Sequence, residues 1–219
     1  MPDPGEEDRR VRIADLLLRL RRVGITDQRV LSAIESVPRD LFVEADCHDE
    51  AYAERALPID CGQTISAPVI VGMMTMALDP RPDDRILEVG TGSGYQAAVL
   101  SRLCERVYTI DRFRTLVTTA QSRFRTLKLT NIEAMVGDGM KGWPEHAPFD
   151  KIIVTAAGEE VPEELFEQLG EGGILVAPVG PQDAVQILKR YTRTASGIEE
   201  TRLADVRFVP LIPGVAERL

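Results

Sequence analysis

Cysteine and histidine are scarce in this chain of 219 residues. The three cysteines, Cys47, Cys61 and Cys104, are widely spaced and odd in number. That argues against a disulfide framework or a zinc cluster and fits a reducing cytoplasm. The two histidines, His48 and His146, cannot hold a metal between them without several carboxylates; both read as solvent-facing loop residues, and no metal site is expected. Long apolar runs are missing, so nothing here is expected to span a bilayer. The charged stretch from Glu6 to Arg12 has no apolar segment and cleavage site behind it, so no secretory signal is expected. Positive charge is in deficit, with 26 Lys and Arg against 35 Asp and Glu and a net charge of −9. Such a chain repels nucleic acid except through a local basic patch. The arginine clusters at Arg19, Arg21 and Arg22, and at Arg112, Arg114, Arg123 and Arg125, read as solvated helix faces. A monomer in the cytoplasm, touching neither membrane nor nucleic acid, is the expectation.

What is present is an ordinary apolar content, enough at this length for one full core. Pro2, Asp3, Pro4 and Gly5 favour no helix. Ile13, Leu16, Leu17 and Leu20 then recur at helical spacing, and Gly24 ends the run. Thr26 is placed to N-cap a second helix that stops before Pro38. Phe42 to Asp60 reads as irregular. Pro68 opens a helix closed by Asp79-Pro80. Strands are expected at Arg85 to Val89, Arg106 to Asp111, Ile132 to Val136, Lys151 to Thr155 and Gly173 to Pro178. Helices fall at Ala97 to Leu100, Phe113 to Leu127 and Pro162 to Leu169. This alternation implies a mostly parallel sheet with helices on both faces. Val185 to Thr192 and Glu199 to Pro210 are joined by Thr194-Ala195-Ser196-Gly197, a link short enough to force antiparallel pairing. One domain covers 1–219. Residues 1–80 would form N-terminal helices and a substrate-side loop, 81–182 a cofactor-binding core, and 183–219 a hairpin and tail.

The densest signal is Arg85-Ile86-Leu87-Glu88-Val89-Gly90-Thr91-Gly92-Ser93-Gly94-Tyr95-Gln96. An apolar strand meets a glycine-rich turn that opens a helix, so the backbone can approach a ligand closely. A dinucleotide site wants G-x-G-x-x-G, but Tyr95 holds the third place and Gly94 falls one residue early. Glu88 suits a cationic ligand group better than a phosphate, and S-adenosylmethionine carries an ammonium and a sulfonium. Asp111 ends the next strand about 20 residues past the glycines, where a carboxylate can bind both ribose hydroxyls. Gly137-Asp138-Gly139 follows the third strand and offers a carboxylate for an adenine amino group. Alone it would read as an ordinary turn, but its place on the ligand edge favours the binding role. Thr155-Ala156-Ala157-Gly158 follows the fourth strand, its small residues leaving room for a ligand. Before the sheet, Leu57-Pro58-Ile59-Asp60-Cys61-Gly62-Gln63-Thr64-Ile65-Ser66-Ala67-Pro68 ends at a helix start. From composition alone, Thr64 or Ser66 reads as the cap of that helix.

Leu57-Pro58-Ile59 with Gly62-Gln63-Thr64-Ile65-Ser66-Ala67-Pro68 resembles the protein-L-isoaspartate O-methyltransferase family. So do the Glu88 to Gln96 turn, Gly137-Asp138-Gly139 with Gly142-Trp143-Pro144, Ile152 to Ala157, and Val206-Arg207-Phe208-Val209-Pro210-Leu211. The resemblance runs from about Val37 to Pro213 with its motifs in order. It implies a class I methyltransferase fold: a Rossmann-like three-layer α/β sandwich with a mostly parallel sheet, a C-terminal antiparallel hairpin and an N-terminal helical extension. It implies S-adenosylmethionine as cofactor, held by Gln63, Thr64, Ser66, Glu88, Gly90, Thr91, Gly92, Ser93, Gly94, Gln96, Asp111, Asp138, Gly139 and Thr155. It implies isoaspartyl-containing proteins and peptides as substrate. The enzyme esterifies the free α-carboxylate, and the ester cyclises to a succinimide whose hydrolysis returns some normal aspartate. Ser66 would aim the carboxylate, and Leu57, Pro58, Ile59, Val209 and Pro210 would line the groove through backbone groups. Three departures stand out: Asp60-Cys61 replaces a glycine-containing pair, Asp111 a commoner glutamate, and Val69 a histidine or tyrosine. Asp60 and Val69 motivate an alternative, a carboxyl O-methyltransferase acting on a modified peptide or small acid. A cofactor binder without catalysis is disfavoured by Ser66, and a nicotinamide oxidoreductase by Tyr95 and Glu88.

Overall fold

The computed structural model describes residues 4–216. Two helices come first, α1 at Pro4–Arg22 and α2 at Gln28–Ser36. The expectation that Pro4 and Gly5 favour no helix does not hold: proline fits a first turn, where its missing N–H costs nothing. Met1, Pro2 and Asp3 lie outside the described residues. The cap of α2 is Asp27 rather than Thr26, its carboxylate accepting the Arg29 N–H at 2.8 Å. Single 3-10 turns at Arg39–Phe42 and Ala45–Glu50 lead to a small hairpin of β1 (Leu57–Pro58) and β2 (Thr64–Ile65). Helix α3 follows at Pro68–Leu78.

From there the chain alternates: β3 (Arg85–Val89), α4 (Tyr95–Leu100), β4 (Arg106–Asp111), α5 (Arg114–Thr126), β5 (Ile132–Val136), β6 (Phe149–Val154), α6 (Glu163–Glu167) and β7 (Leu169–Val179). Strands β8 (Gln186–Thr194) and β9 (Gly197–Val206) form the terminal hairpin, closed where Thr194 pairs with Gly197. The seven-stranded sheet runs β5-β4-β3-β6-β7-β8-β9, parallel through β7 and antiparallel beyond it. This is the expected Rossmann-like plan. Strand order reverses between β3 and β6, because the chain runs outward through β4 and β5 before returning. A crevice at the carboxyl ends of β3, β4 and β6 is therefore where a ligand fits.

Side-chain alternation sorts the sheet into two apolar layers. Ile86, Val107 and Ile153 face the N-terminal helices with α3, α4 and α5, while Leu87, Val89, Ile110, Ile152 and Val154 pack on the other side. Period two puts Glu88 on the Ile86 face. Between β5 and β6 the chain makes only 3-10 turns, at Gly139–Lys141 and Pro144–His146. His146 is half-buried there, stacked on Tyr108 with ring centroids 4.3 Å apart, which corrects its reading as a solvent-facing residue. Arg123 is likewise not a solvated charge: it lies over the Phe42 ring and donates to the Ser93 carbonyl at 3.0 Å. Val209 and Pro210, read as part of the last strand, instead leave the sheet after Val206 and return to Ala157. Ala157 N–H donates to Val209 O at 2.8 Å, and Leu211 N–H to Ala157 O at 2.7 Å.

Candidate active site

The glycine turn after β3 has positive φ at Gly90, Gly92 and Gly94, a conformation glycine adopts without steric cost. At Gly90 a Cβ would fall 2.3 Å from Thr155 Oγ1, and at Gly94 2.8 Å from the Phe124 ring. These two glycines serve close packing. At Gly92 a Cβ would meet only Ile59 Cδ1, 3.7 Å away, an ordinary van der Waals contact, so here the positive φ rather than crowding calls for glycine. Thr155 stands at the mouth of β6 and donates to Gly90 O at 2.7 Å, tying that strand to the turn. Gly94 caps α4 and lies behind the cavity wall.

Asp111, at the end of β4, holds the turn from the side. One carboxylate oxygen accepts Gly92 N–H at 2.8 Å and the other Phe113 N–H at 3.0 Å. Each oxygen keeps a lone pair for a ligand hydroxyl. Burial pushes the Asp111 carboxyl up from the ordinary carboxylate range, partly offset by the N–H donors of Gly92, Phe113 and Arg112.

Glu88 stands apart from its expected role. It is wholly buried beneath the turn and does not line the cavity. Thr109 Oγ1 donates to Glu88 Oε2, and Thr91 Oγ1 lies 2.7 Å from Thr109 Oγ1, so Thr91 donates to Thr109 in turn. Glu88 Oε1 has no partner. Burial pushes its pKa up to about 8. In the ligand-free protein burial thus favours the protonated carboxyl, which supports the turn from below through Thr109 and Thr91.

Gln63, Thr64, Ser66, Gly90, Thr91, Gly92, Ser93, Gln96, Asp111, Gly139, Thr155, Val209 and Pro210 all line one cleft, with about 980 Å³ of empty space including its open mouth. Gln96 is oriented by its own bond to Thr75 Oγ1, 2.9 Å. Asp138 is outside the lining; one carboxylate oxygen caps a 3-10 turn by accepting Met140 N–H at 3.0 Å. Leu57, Pro58 and Ile59 are outside it too. Leu57 and Ile59 point into the core, and the backbone of this segment is engaged in the β1–β2 pairing and in Ile59 N–H to Gln63 O.

Ser66 lines the same cleft as the glycine turn. The cap position of α3 is Ala67, with no side-chain cap bond; Glu54 instead accepts Val69 N–H at 2.8 Å. The helix-cap reading of Thr64 or Ser66 is therefore overturned. The Ser66 hydroxyl has no hydrogen bond among the described residues, while its carbonyl accepts from Arg39 Nη2 at 2.7 Å. Cys61, in the segment before it, has φ 60°, a left-handed conformation that explains why glycine suits this position.

Arg39, Glu54, Thr109, Phe113 and Ile212 escaped the sequence reading, and Arg112, read as part of a solvated helix face, precedes the helix and lines the cleft. None stands in a glycine motif, and burial of a lone arginine after Pro38 leaves no local trace. Among the described residues no group of histidine, cysteine and carboxylate side chains could hold a metal.

A glycine turn, a carboxylate beside it and a polar loop lining the same cleft fit a nucleoside with an amino-acid tail, as S-adenosylmethionine is. The family profile described as Protein-L-isoaspartate(D-aspartate) O-methyltransferase matches residues 11–216. The protein-L-isoaspartate O-methyltransferase of Parvibaculum lavamentivorans is 54% identical over 217 residues, 98% of this chain and 96% of its own. That of Paracoccus denitrificans is 54% identical, covering 98% of each chain. A solved protein-L-isoaspartate O-methyltransferase superposes with a TM-score of 0.82 at 27% identity over 90% of this chain, which spans 65% of that protein's length. A Plasmodium falciparum protein assigned the same activity, solved with S-adenosyl-L-homocysteine, has a TM-score of 0.78 at 28% identity, covering 90% of this chain and 97% of its own. With the profile spanning nearly all of the described residues and the glycine turn, Asp111 and Ser66 gathered on one cleft, the chain belongs to the protein-L-isoaspartate(D-aspartate) O-methyltransferase family.

Proposed function

We propose that this enzyme esterifies the free α-carboxylate of L-isoaspartyl residues in damaged proteins and peptides, using S-adenosylmethionine, and so starts repair through a succinimide. The observation that carries the reading is the Ser66 hydroxyl, without a hydrogen-bond partner among the described residues, lining the same cleft as the glycine turn. S-adenosylmethionine, when bound, supplies an electrophilic methyl group on a sulfonium.

Gly90 to Ser93 would hold it through backbone groups, and Asp111 through the remaining lone pairs of its carboxylate. Gln63, Thr64, Gln96, Gly139 and Thr155 would shape the rest of the wall. Glu88, Gly94 and Asp138 would act indirectly, by fixing the turns that carry those groups. Ser66 donates its proton in a hydrogen bond to the substrate carboxylate and aims one oxygen. The carboxylate is already a nucleophile at neutral pH, so no side chain needs to abstract a proton. Placement and exclusion of water supply the remaining rate. Val209 and Pro210 form the substrate side of the cleft, where backbone contacts tolerate many neighbouring sequences. Leu57 to Ile59 would support the same side through the hairpin that carries Thr64.

Work as a monomer in the cytoplasm, without nucleic acid or membrane, completes the reading. Three free cysteines and the net charge of −9 support it. Among the described residues no helix is long and apolar enough to cross a membrane.

The test is transfer of labelled methyl from S-adenosylmethionine to paired peptides that differ only in L-isoaspartate against L-aspartate. Strong labelling of the first and little of the second is expected, since a misplacement of about 1 Å can cost ~100-fold in rate. Equal labelling, or none with cofactor bound, overturns the assignment and promotes a different acid as substrate.

A further inference from the structure

Arg39 is wholly buried, and no acidic side chain forms a salt bridge with it among the described residues, although Glu54 attracts it from a greater distance. Its Nε donates to Ala51 O at 2.7 Å and its Nη2 to Ser66 O at 2.7 Å, while Nη1 has no partner. The guanidinium lies 4.8 Å from the centre of the Tyr95 ring. Tyr95 is the first residue of α4, directly after Gly94, and it lines the cleft. A second contact from the same 3-10 turn reaches it: Phe42 meets the Tyr95 ring edge-on at 5.4 Å. Arg123, lying over Phe42, donates to Ser93 O inside the glycine turn. The Arg39–Phe42 turn thus touches both walls of the cleft, the serine loop on one side and the cofactor turn on the other.

Burying an unpaired cation is costly, and an apolar side chain of similar volume would fill the space without that cost. Stability alone gives no reason for arginine here. Bridging two carbonyls while stacking on a ring does, because only the planar, forked guanidinium does all three.

We propose that Arg39 is a positioning residue for methyl transfer: it locks the Ser66 loop to Tyr95 and so sets where the serine hydroxyl stands relative to the glycine turn. The inference rests on Ser66 being the residue that aims the substrate carboxylate. Arg39→Lys keeps the charge, but its donors sit on a single nitrogen and cannot hold Ala51, Ser66 and the Tyr95 face together. Arg39→Met keeps bulk alone.

The experiment measures kcat and KM on an isoaspartyl peptide, the affinity for S-adenosylhomocysteine and the far-UV circular dichroism of both variants. It repeats the kinetics with each change in a Ser66→Ala background. Expected is a kcat loss of about 10–100-fold, the scale of small misplacements, with inhibitor affinity within about threefold and the fold intact. In the Ser66→Ala background the same changes should cost almost nothing further, since residues that act as a unit are not additive. Unchanged kcat, an equal loss with and without Ser66, or loss of the fold in both variants overturns the proposal. Wild-type enzyme that fails to methylate the peptide would instead defeat the substrate assignment, and it is run alongside.

Discussion

Single side chains in this cleft separate into those proposed to meet a ligand and those that hold the meeting place. Ser66 is placed in the first group, because among the described residues nothing uses its hydroxyl. Ser66→Ala should leave thermal stability within about 0.5 kcal/mol and leave cofactor binding intact, while methyl transfer falls to a small but measurable residual rate. Reduced stability with turnover retained would return Ser66 to a structural role. Asp111 belongs to both groups, since it accepts Gly92 and Phe113 N–H groups and lines the cleft. Asp111→Ala should weaken S-adenosylmethionine binding by about 1–3 kcal/mol, the range for losing charged hydrogen bonds. Calorimetry showing unaltered affinity would take Asp111 out of the site.

Elements matter through how they are joined. The glycine turn links β3 to α4, and its shape depends on three neighbours: Thr155 from β6, Asp111 from β4 and Phe124 from α5. A methyl group at Gly94 would sit 2.8 Å from Phe124 with φ at +87°. Left-handed strain and overlap together cost roughly 2 kcal/mol or more. Gly94→Ala should then lower Tm by about 4–8 °C for a domain of this size and weaken cofactor binding, although Gly94 is outside the cleft lining. A scanning melt paired with cofactor titration checks both. An unmoved Tm would mean that α5 gives way more easily than the packing suggests.

Across the whole molecule, Glu88 ties stability to pH. Its carboxyl stands at about 8 in the folded protein against an ordinary 4.5. Below the lower value both states carry the proton, and the group contributes nothing. Between the two the unfolded chain has released a proton that the folded one keeps. Stability of the ligand-free protein therefore falls as pH rises through this window, at about 1.4 kcal/mol per unit. Above the upper value the loss is complete. Asp111, also raised by burial, acts in the same direction from a lower starting point. Glu88→Gln should flatten the slope and unfold at higher denaturant than wild type at neutral pH. Urea titrations at several pH values read this directly, and a slope that survives the substitution belongs to other groups.

The chain's local pattern determined the strand–turn–helix unit, the parallel core and the closing hairpin. Strands at Arg106–Asp111 and Ile132–Val136 were legible residue by residue, because apolar runs bounded by charge and glycine depend on nothing far away. Gly90, Gly92 and Asp111 were legible for the same reason. Tertiary structure alone decided the rest. Arg39 reaches partners 12 and 27 residues along the chain, and no nearby pattern announces that. Glu88 stood in the right motif, but its distance from the ligand surface depends on Thr109 in the neighbouring strand. Val209 and Pro210 continued an apolar run, yet the backbone of Ala157 draws them out of the sheet and onto the cleft. Periodicity reports on residues a few places apart; burial and hydrogen-bond partnership are settled between segments that meet only once the chain has folded.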